Sequence, residues 1–285
     1  MANRRIPAEG LFALSAVSQY IGAAIAVSVF DDVAPQTVGW LRVVGAAITL
    51  SLIARPRLRE WRGRRLAGVA MFGIATAAMN TFFYLAIDRI DLGKSVAIEF
   101  IGPILVAAVA TRSARNGAAL IAAASGVVVL GGLEFGVETT GLIFILASSA
   151  CWAIYILVGA RVAVATDRLD GLAVGLVIGA VVLTPLGAPS SGSVWTTPAL
   201  LLACLVTGVF SNAIGYGIDQ YVLRRVSIRR FSLLLAMLPV TAVVVGWVLL
   251  SQRPTGIEFV GIAAVLAGVS IQDREEPAHR VPATG

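Results

Sequence analysis

The sequence predicts an all-α integral membrane protein: ten transmembrane helices arranged as two inverted-topology five-helix repeats. Three observations support this. Of the 285 residues 58% are hydrophobic and mean hydropathy is +0.89, more apolar content than one soluble core of ordinary size can absorb. Ten mostly apolar stretches of about the 20 residues needed to cross a bilayer are separated by short polar punctuation. Finally, the basic residues alternate in density along that pattern. With the N-terminus inside, 18 of the 22 Lys and Arg fall on the inner side; Arg89, Lys94 and Arg253 fall outside, and Arg42 lies within a span. That asymmetry is the positive-inside rule, and it places both termini in the cytoplasm. It also accounts for the net charge of +6 and the pI near 10 without a basic patch for nucleic acid.

Span one, residues 10–30, follows Arg4 and Arg5 as the apolar core of a signal peptide would. At about 20 residues, with nine more spans behind it, it reads as a retained helix. Helical spacing puts Ser15, Ser18, Gln19 and Gly22 on one of its faces. Span two, 35–54, contains Arg42 about 10 Å below its outer end at ~1.5 Å per residue. Span three, 66–87, aligns Gly73, Ala77, Asn80 and Tyr84, with Asn80 at a similar depth. Span four, 94–111, reads "KSVAIEFIGPILVAAVATR" from Lys94 and contains the lone carboxylate Glu99, followed by Gly102 and Pro103. Proline removes a hydrogen bond at the preceding turn and predicts a kink there.

Span five covers 118–135, and span six, 140–160, offers Ser148, Trp152, Tyr155 and Gly159. Span seven, 171–187, opens on Gly171, Gly175 and Gly179, a small-residue seam for close helix packing. Span eight, 198–218, offers Gly208, Ser211, Asn212 and Gly215; span nine, 230–250, contains Pro239; span ten is 255–272. Cys151 and Cys204 stand alone in apolar surroundings and read as small buried hydrophobes, with no disulfide or metal spacing and no cofactor motif.

Self-similarity divides the chain. "NTFFYLAID", from Asn80, and "NAIGYGID", from Asn212, both read Asn, three residues, Tyr and then Asp, at the end of the third span of each half. Five is odd, so the second half must be upside down relative to the first, and equivalent loops should differ in charge. The loop after span two has six Arg, and its partner "APSSGSVWTT" has none. The halves are 1–137 and 138–272, with a polar cytoplasmic tail at 273–285. Inverted repeats are the architecture of secondary transporters, with the binding site between the halves near the midplane.

Strongly polar groups inside spans are costly and point to the path. Glu99, Arg42 and Asn80 share a depth on successive helices; Tyr84, Gln19, Trp152, Tyr155 and Asn212 are further candidates for binding substrate or coupling protons, and Pro103 and Pro239 for kinks or gates. Two readings of Glu99 compete. It makes a permanent structural ion pair with Arg42, or it sits in a cavity where desolvation and a nearby guanidinium act on its ionisation in opposite senses, so that it could exchange a proton or contact a substrate ammonium.

The segments "AIEFIGPILVA" and "LRRVSIRRFSLLLAMLPVTAVVVGWVLLSQRPTGIEFVGIAAVLAGV" resemble the EamA-type drug/metabolite transporters, within them the branch of inner-membrane threonine/homoserine exporters. The resemblance implies a basket of ten helices around a central cavity, alternating access, and export of amino acids or related metabolites driven by the proton gradient. It carries over Glu99, Pro103 and Pro239. The inverted equivalent of Glu99 is Leu235, so the expected proton site is single and asymmetric. The cluster Arg224, Arg225, Arg229 and Arg230 reads as an orientation signal that meets anionic lipid headgroups.

The alternative is a multidrug or other metabolite carrier of the same fold, in which Trp152 and Tyr155 would stack on an aromatic or amine substrate. A membrane-embedded enzyme would need clustered His, Cys or acidic residues, which the spans do not offer. A non-transport scaffold would need neither repeat nor aligned polar groups.

Overall fold

The computed structural model describes residues 7–57, 59, 61–110, 113–131, 138–165, 169–227, 231, 234, 235, 237–253 and 255–271. The polar tail, Arg229 and Arg230 lie outside them. Every regular element among the described residues is helical. They are α1 (Ala8–Val27), α2 (Pro35–Ala54), α3 (Gly63–Ile87), α4 (Leu92–Glu99), α5 (Ile101–Ala110), α6 (Ala114–Gly131), α7 (Thr139–Ala165), α8 (Asp170–Gly187), α9 (Gly192–Thr196) and α10 (Pro198–Gly208). A π-helical segment, Val209–Tyr216, runs on into α11 (Gly217–Leu223), and α12 (Met237–Leu250) and α13 (Gly256–Ile271) complete the chain.

The described residues of the predicted spans are mostly helical. Among the described residues, six uninterrupted helical stretches are long and apolar enough to cross a membrane: Ala8–Val27, Pro35–Ala54, Gly63–Ile87, Thr139–Val162, Asp170–Gly187 and Pro198–Leu223. The other predicted spans differ in form. Span four is broken into α4 and α5, and α12 is a shorter apolar helix.

The break in span four has a local cause. Pro103 has no N–H to give the carbonyl of Glu99, four residues back, and the helix is interrupted at Phe100 between Glu99 and Ile101. The Gly102 N–H turns outward and donates to Ser149 Oγ of α7 at 2.8 Å. Gly102 must be glycine for this contact, because a Cβ there would overlap the Ser149 carbonyl oxygen. Pro239 lies in the first turn of α12, where a missing N–H costs nothing.

The two halves interleave. α1 packs along α10, the π segment and α11, and α3 packs along α7; α2 meets α8 and α10, while α3 meets α8. α1 also meets α12, as α7 meets α4 and α5; α4 touches α12 and α6 lies along α13. α2 also packs along α3. The predicted glycine seam is one of these contacts: Gly175 and Gly179 of α8 lie against Phe72, Gly73 and Ala77 of α3. Cys204 is fully buried and Cys151 partly buried, and both are free thiols.

Candidate functional site

Breaking the helix after Glu99 leaves that side chain, 6% exposed, inside the bundle. Ser148 Oγ of α7 lies in hydrogen-bond contact with Glu99 Oε1 and is also 2.8 Å from the Met79 carbonyl of α3. Asn80, one residue on, turns its amide back to the Thr76 carbonyl at 2.6 Å.

Arg42 of α2 is 4% exposed and has a different set of partners. Its Nε donates to Asn212 Oδ1 of the π segment and its Nη1 to Tyr84 Oη at 2.9 Å, with the guanidinium carbon 5.0 Å from the Tyr84 ring centroid. Two neutral acceptors and an aromatic face thus hold the buried cation. A glycine permits the approach: a Cβ on Gly208 would overlap the Arg42 carbonyl. Among the described residues Arg42 and Glu99 form no ion pair within 4 Å. Tyr84→Phe removes a hydrogen bond to a charged group, worth about 1.5–3 kcal/mol. The variant should melt at lower temperature in detergent than the wild type, and an unchanged melting curve would show that the ring alone supports Arg42.

A second carboxylate stands in the site. The sequence reading placed Asp219 in the loop after span eight and expected one deep acid only. Instead, helix continues to Leu223, and Asp219 is 2% exposed. Ser15 Oγ of α1 lies 2.7 Å from its Oδ1, and Gln19 Nε2 donates to Oδ2 at 3.3 Å. The cause is the π segment. An i→i+5 helix advances and turns less per residue than an α-helix, so the residues after it stay deeper and face elsewhere than a 3.6-residue period forecasts. Gly215 lets Gln19 lie across the segment, since a Cβ there would overlap the Gln19 side chain. Ser18 and Ser211 fasten the same seam through bonds to the Phe210 and Gln19 carbonyls at 2.6 and 2.8 Å.

These groups converge on one cavity of about 40 Å³, lined by Gln19, Tyr20, Ala23, Arg42, Met79, Asn80, Phe83, Glu99, Trp152, Tyr155, Tyr216, Asp219 and Leu238. Of the predicted residues, Gln19, Arg42, Asn80, Glu99, Trp152 and Tyr155 reach it, while Tyr84 and Asn212 stand behind Arg42. Sequence reasoning missed Asp219, Tyr20 and Tyr216; the Tyr and Asp of "NAIGYGID" were a signal for two of them. The volume has room for a few waters at roughly 10–15 Å³ of probe-occupied space each. Tyr155 stacks on Phe72 with centroids 5.2 Å apart and meets Tyr216 at 5.4 Å. Its buried hydroxyl, like Asn212 Nδ2, has no hydrogen-bond partner. Among the described residues no three His, Cys, Asp or Glu side chains are grouped to hold a metal ion.

A buried pocket with one cation and two carboxylates, walled by helices from both ends of the chain, is suited to binding a charged solute. Comparison with known proteins agrees. A model of the EamA-like transporter family matches residues 139–271. The threonine/homoserine exporter RhtA of Salmonella typhimurium strain LT2 is 33% identical over 274 residues, covering 94% of this chain and 92% of its own. The same exporter from Escherichia coli strain K12 is 33% identical over 251 residues, 86% of this chain and 84% of its own. A solved crystal structure shares the fold with a TM-score of 0.71 at 19% identity, over 92% of this chain and 95% of that one. The curated relatives are named as exporters, not as enzymes. This chain is therefore a multi-pass membrane protein that belongs to the EamA-like transporter family and is similar to its threonine/homoserine exporters.

Proposed function

We propose that the protein exports threonine- or homoserine-like amino acids across the inner membrane by alternating access, coupled to protons through Glu99. The observation that carries this reading is the cavity itself, in which Arg42 offers a cation and Glu99 a carboxylate between helices of the two halves. A zwitterionic amino acid presents the complementary pair of charges. The relatives' named substrates agree with that chemistry.

The architecture we assign is ten crossings, with repeats at 1–137 and 138–272 and both termini cytoplasmic. It is supported by most of the larger helix pairings, which repeat when spans are shifted by five, and by the contrast in Arg content between equivalent loops. Rocking of one repeat against the other would enlarge the closed cavity first on one side and then on the other. Trp152, Tyr155 and Tyr216 in the wall favour a second reading, a carrier of aromatic or cationic compounds.

The test is export from proteoliposomes with a panel of labelled amino acids and lipophilic aromatic cations. Homoserine and threonine should accumulate on the acid side of an imposed pH gradient. Flux of the cations without flux of the amino acids would select the second reading. Amino-acid flux indifferent to the gradient would remove the proton.

A further inference from the structure

We infer that Asp219 and Ser15 form a second proton-binding site in which, as at Glu99 and Ser148, a serine of one half stands between a carboxylate and a carbonyl of the other; this rests on the proton-coupled reading above. A serine hydroxyl has one hydrogen and two lone pairs. Ser15 Oγ receives a bond from Gln19 Nε2 at 3.0 Å and lies within reach of two acceptors, the Gly215 carbonyl at 2.9 Å and Asp219 Oδ1 at 2.7 Å. One hydrogen cannot serve both. With the Asp219 carboxyl protonated, its O–H donates to Ser15 Oγ and the serine hydrogen goes to the Gly215 carbonyl. With the carboxylate ionised, the serine hydrogen turns to Asp219 and the carbonyl gives up that bond. Binding or release of one proton at Asp219 is thus accommodated by rotation of one hydroxyl, which makes or breaks its bond to the Gly215 carbonyl.

Ser148 stands in the same relation to Glu99 and the Met79 carbonyl. In each case the serine comes from the first helix of one half, and the carbonyl from the third span of the other. The two acids also share the cavity, so a proton on either is felt by the same solute. The titratable and charged groups facing Asp219 are Tyr20 of α1, Tyr216 of the π segment and Tyr155 of α7, whose buried hydroxyl has no partner; Glu99 and Arg42 lie across the cavity. The other charged groups of α1 and α7, Glu9 and Arg161, lie near helix ends.

Proteoliposomes containing a pH dye and labelled homoserine give protons moved per substrate. The wild type should move about two protons per homoserine exported and Asp219→Asn about one, each carboxylate accounting for one proton. An unchanged ratio in Asp219→Asn overturns the inference. Loss of counterflow in a folded Asp219→Asn protein assigns the group to substrate and also overturns it. Should Asp219→Asn not fold, Ser15→Ala keeps the acid and removes the rotor. It should move the pH of half-maximal export by about one unit with homoserine affinity unchanged, since one lost hydrogen bond is worth about that much, and an unmoved pH profile overturns the inference. Wild-type protein that transports homoserine without moving protons removes the reading beneath this one, a failure visible before any variant is made.

Discussion

Glu99→Gln should yield a folded protein that still exchanges substrate but concentrates it far less. Gln keeps the shape of Glu and can still bond to Ser148 Oγ, so the contacts that hold α4 to α7 survive. What is lost is a group that changes charge. Uphill homoserine export in a pH gradient should fall by at least about tenfold, equivalent to about 1.4 kcal/mol of lost coupling. Homoserine counterflow at equal pH should persist. Wild-type accumulation in this variant would exclude Glu99 from coupling. Loss of folded protein would instead make it a structural acid, which thermal melting in detergent distinguishes.

Gly73→Val should be the most disruptive single change outside the cavity. A Cβ on Gly73 would overlap the Gly175 carbonyl, and Gly175 and Gly179 in turn lie against the backbone of α3. Backbone cannot swing aside as a side chain can, so α3 and α8 must separate. Overpacking typically costs about 1–3 kcal/mol, and a backbone clash belongs at or above the top of that range. Because α3 also carries Asn80 and the Met79 carbonyl, the cavity wall moves with it. Gly68→Ala on the same helix is the control. It meets nothing within 4 Å and should stabilise the helix by about 0.5–1 kcal/mol. Equal melting temperatures for the two variants would mean that the α3–α8 seam is loose.

Depth in the membrane brings half of the candidate site together. Glu99, Arg42 and Asn80 are costly in lipid, and helical rise alone brings them to one level; the structure places all three in one cavity. The break near Pro103 was legible for the same kind of reason, a missing donor at a known spacing.

Asp219 was not legible. It is followed by Arg224 and Arg225, which by charge alone read as the end of a span, and the π segment that keeps it buried has no period that a 3.6-residue template recognises. The partners of Arg42 were also hidden. Which acceptors surround a buried guanidinium depends on how closely helices approach, and that is set by Gly208 against the α2 backbone, a long-range contact invisible in one sequence.

The exchange of serines between halves bears on how the protein is made. Glu99 leaves the ribosome before α7 exists, so it enters the membrane with Ser148 still to be synthesised. Asp219 arrives late and finds Ser15 and Gln19 already in place. The first half on its own therefore leaves an acid in lipid without its hydroxyl partner, an unstable fragment that quality-control proteases should clear. Co-expression of the two halves as separate chains would supply both hydroxyls, and biogenesis would then depend on how promptly the second half meets the first.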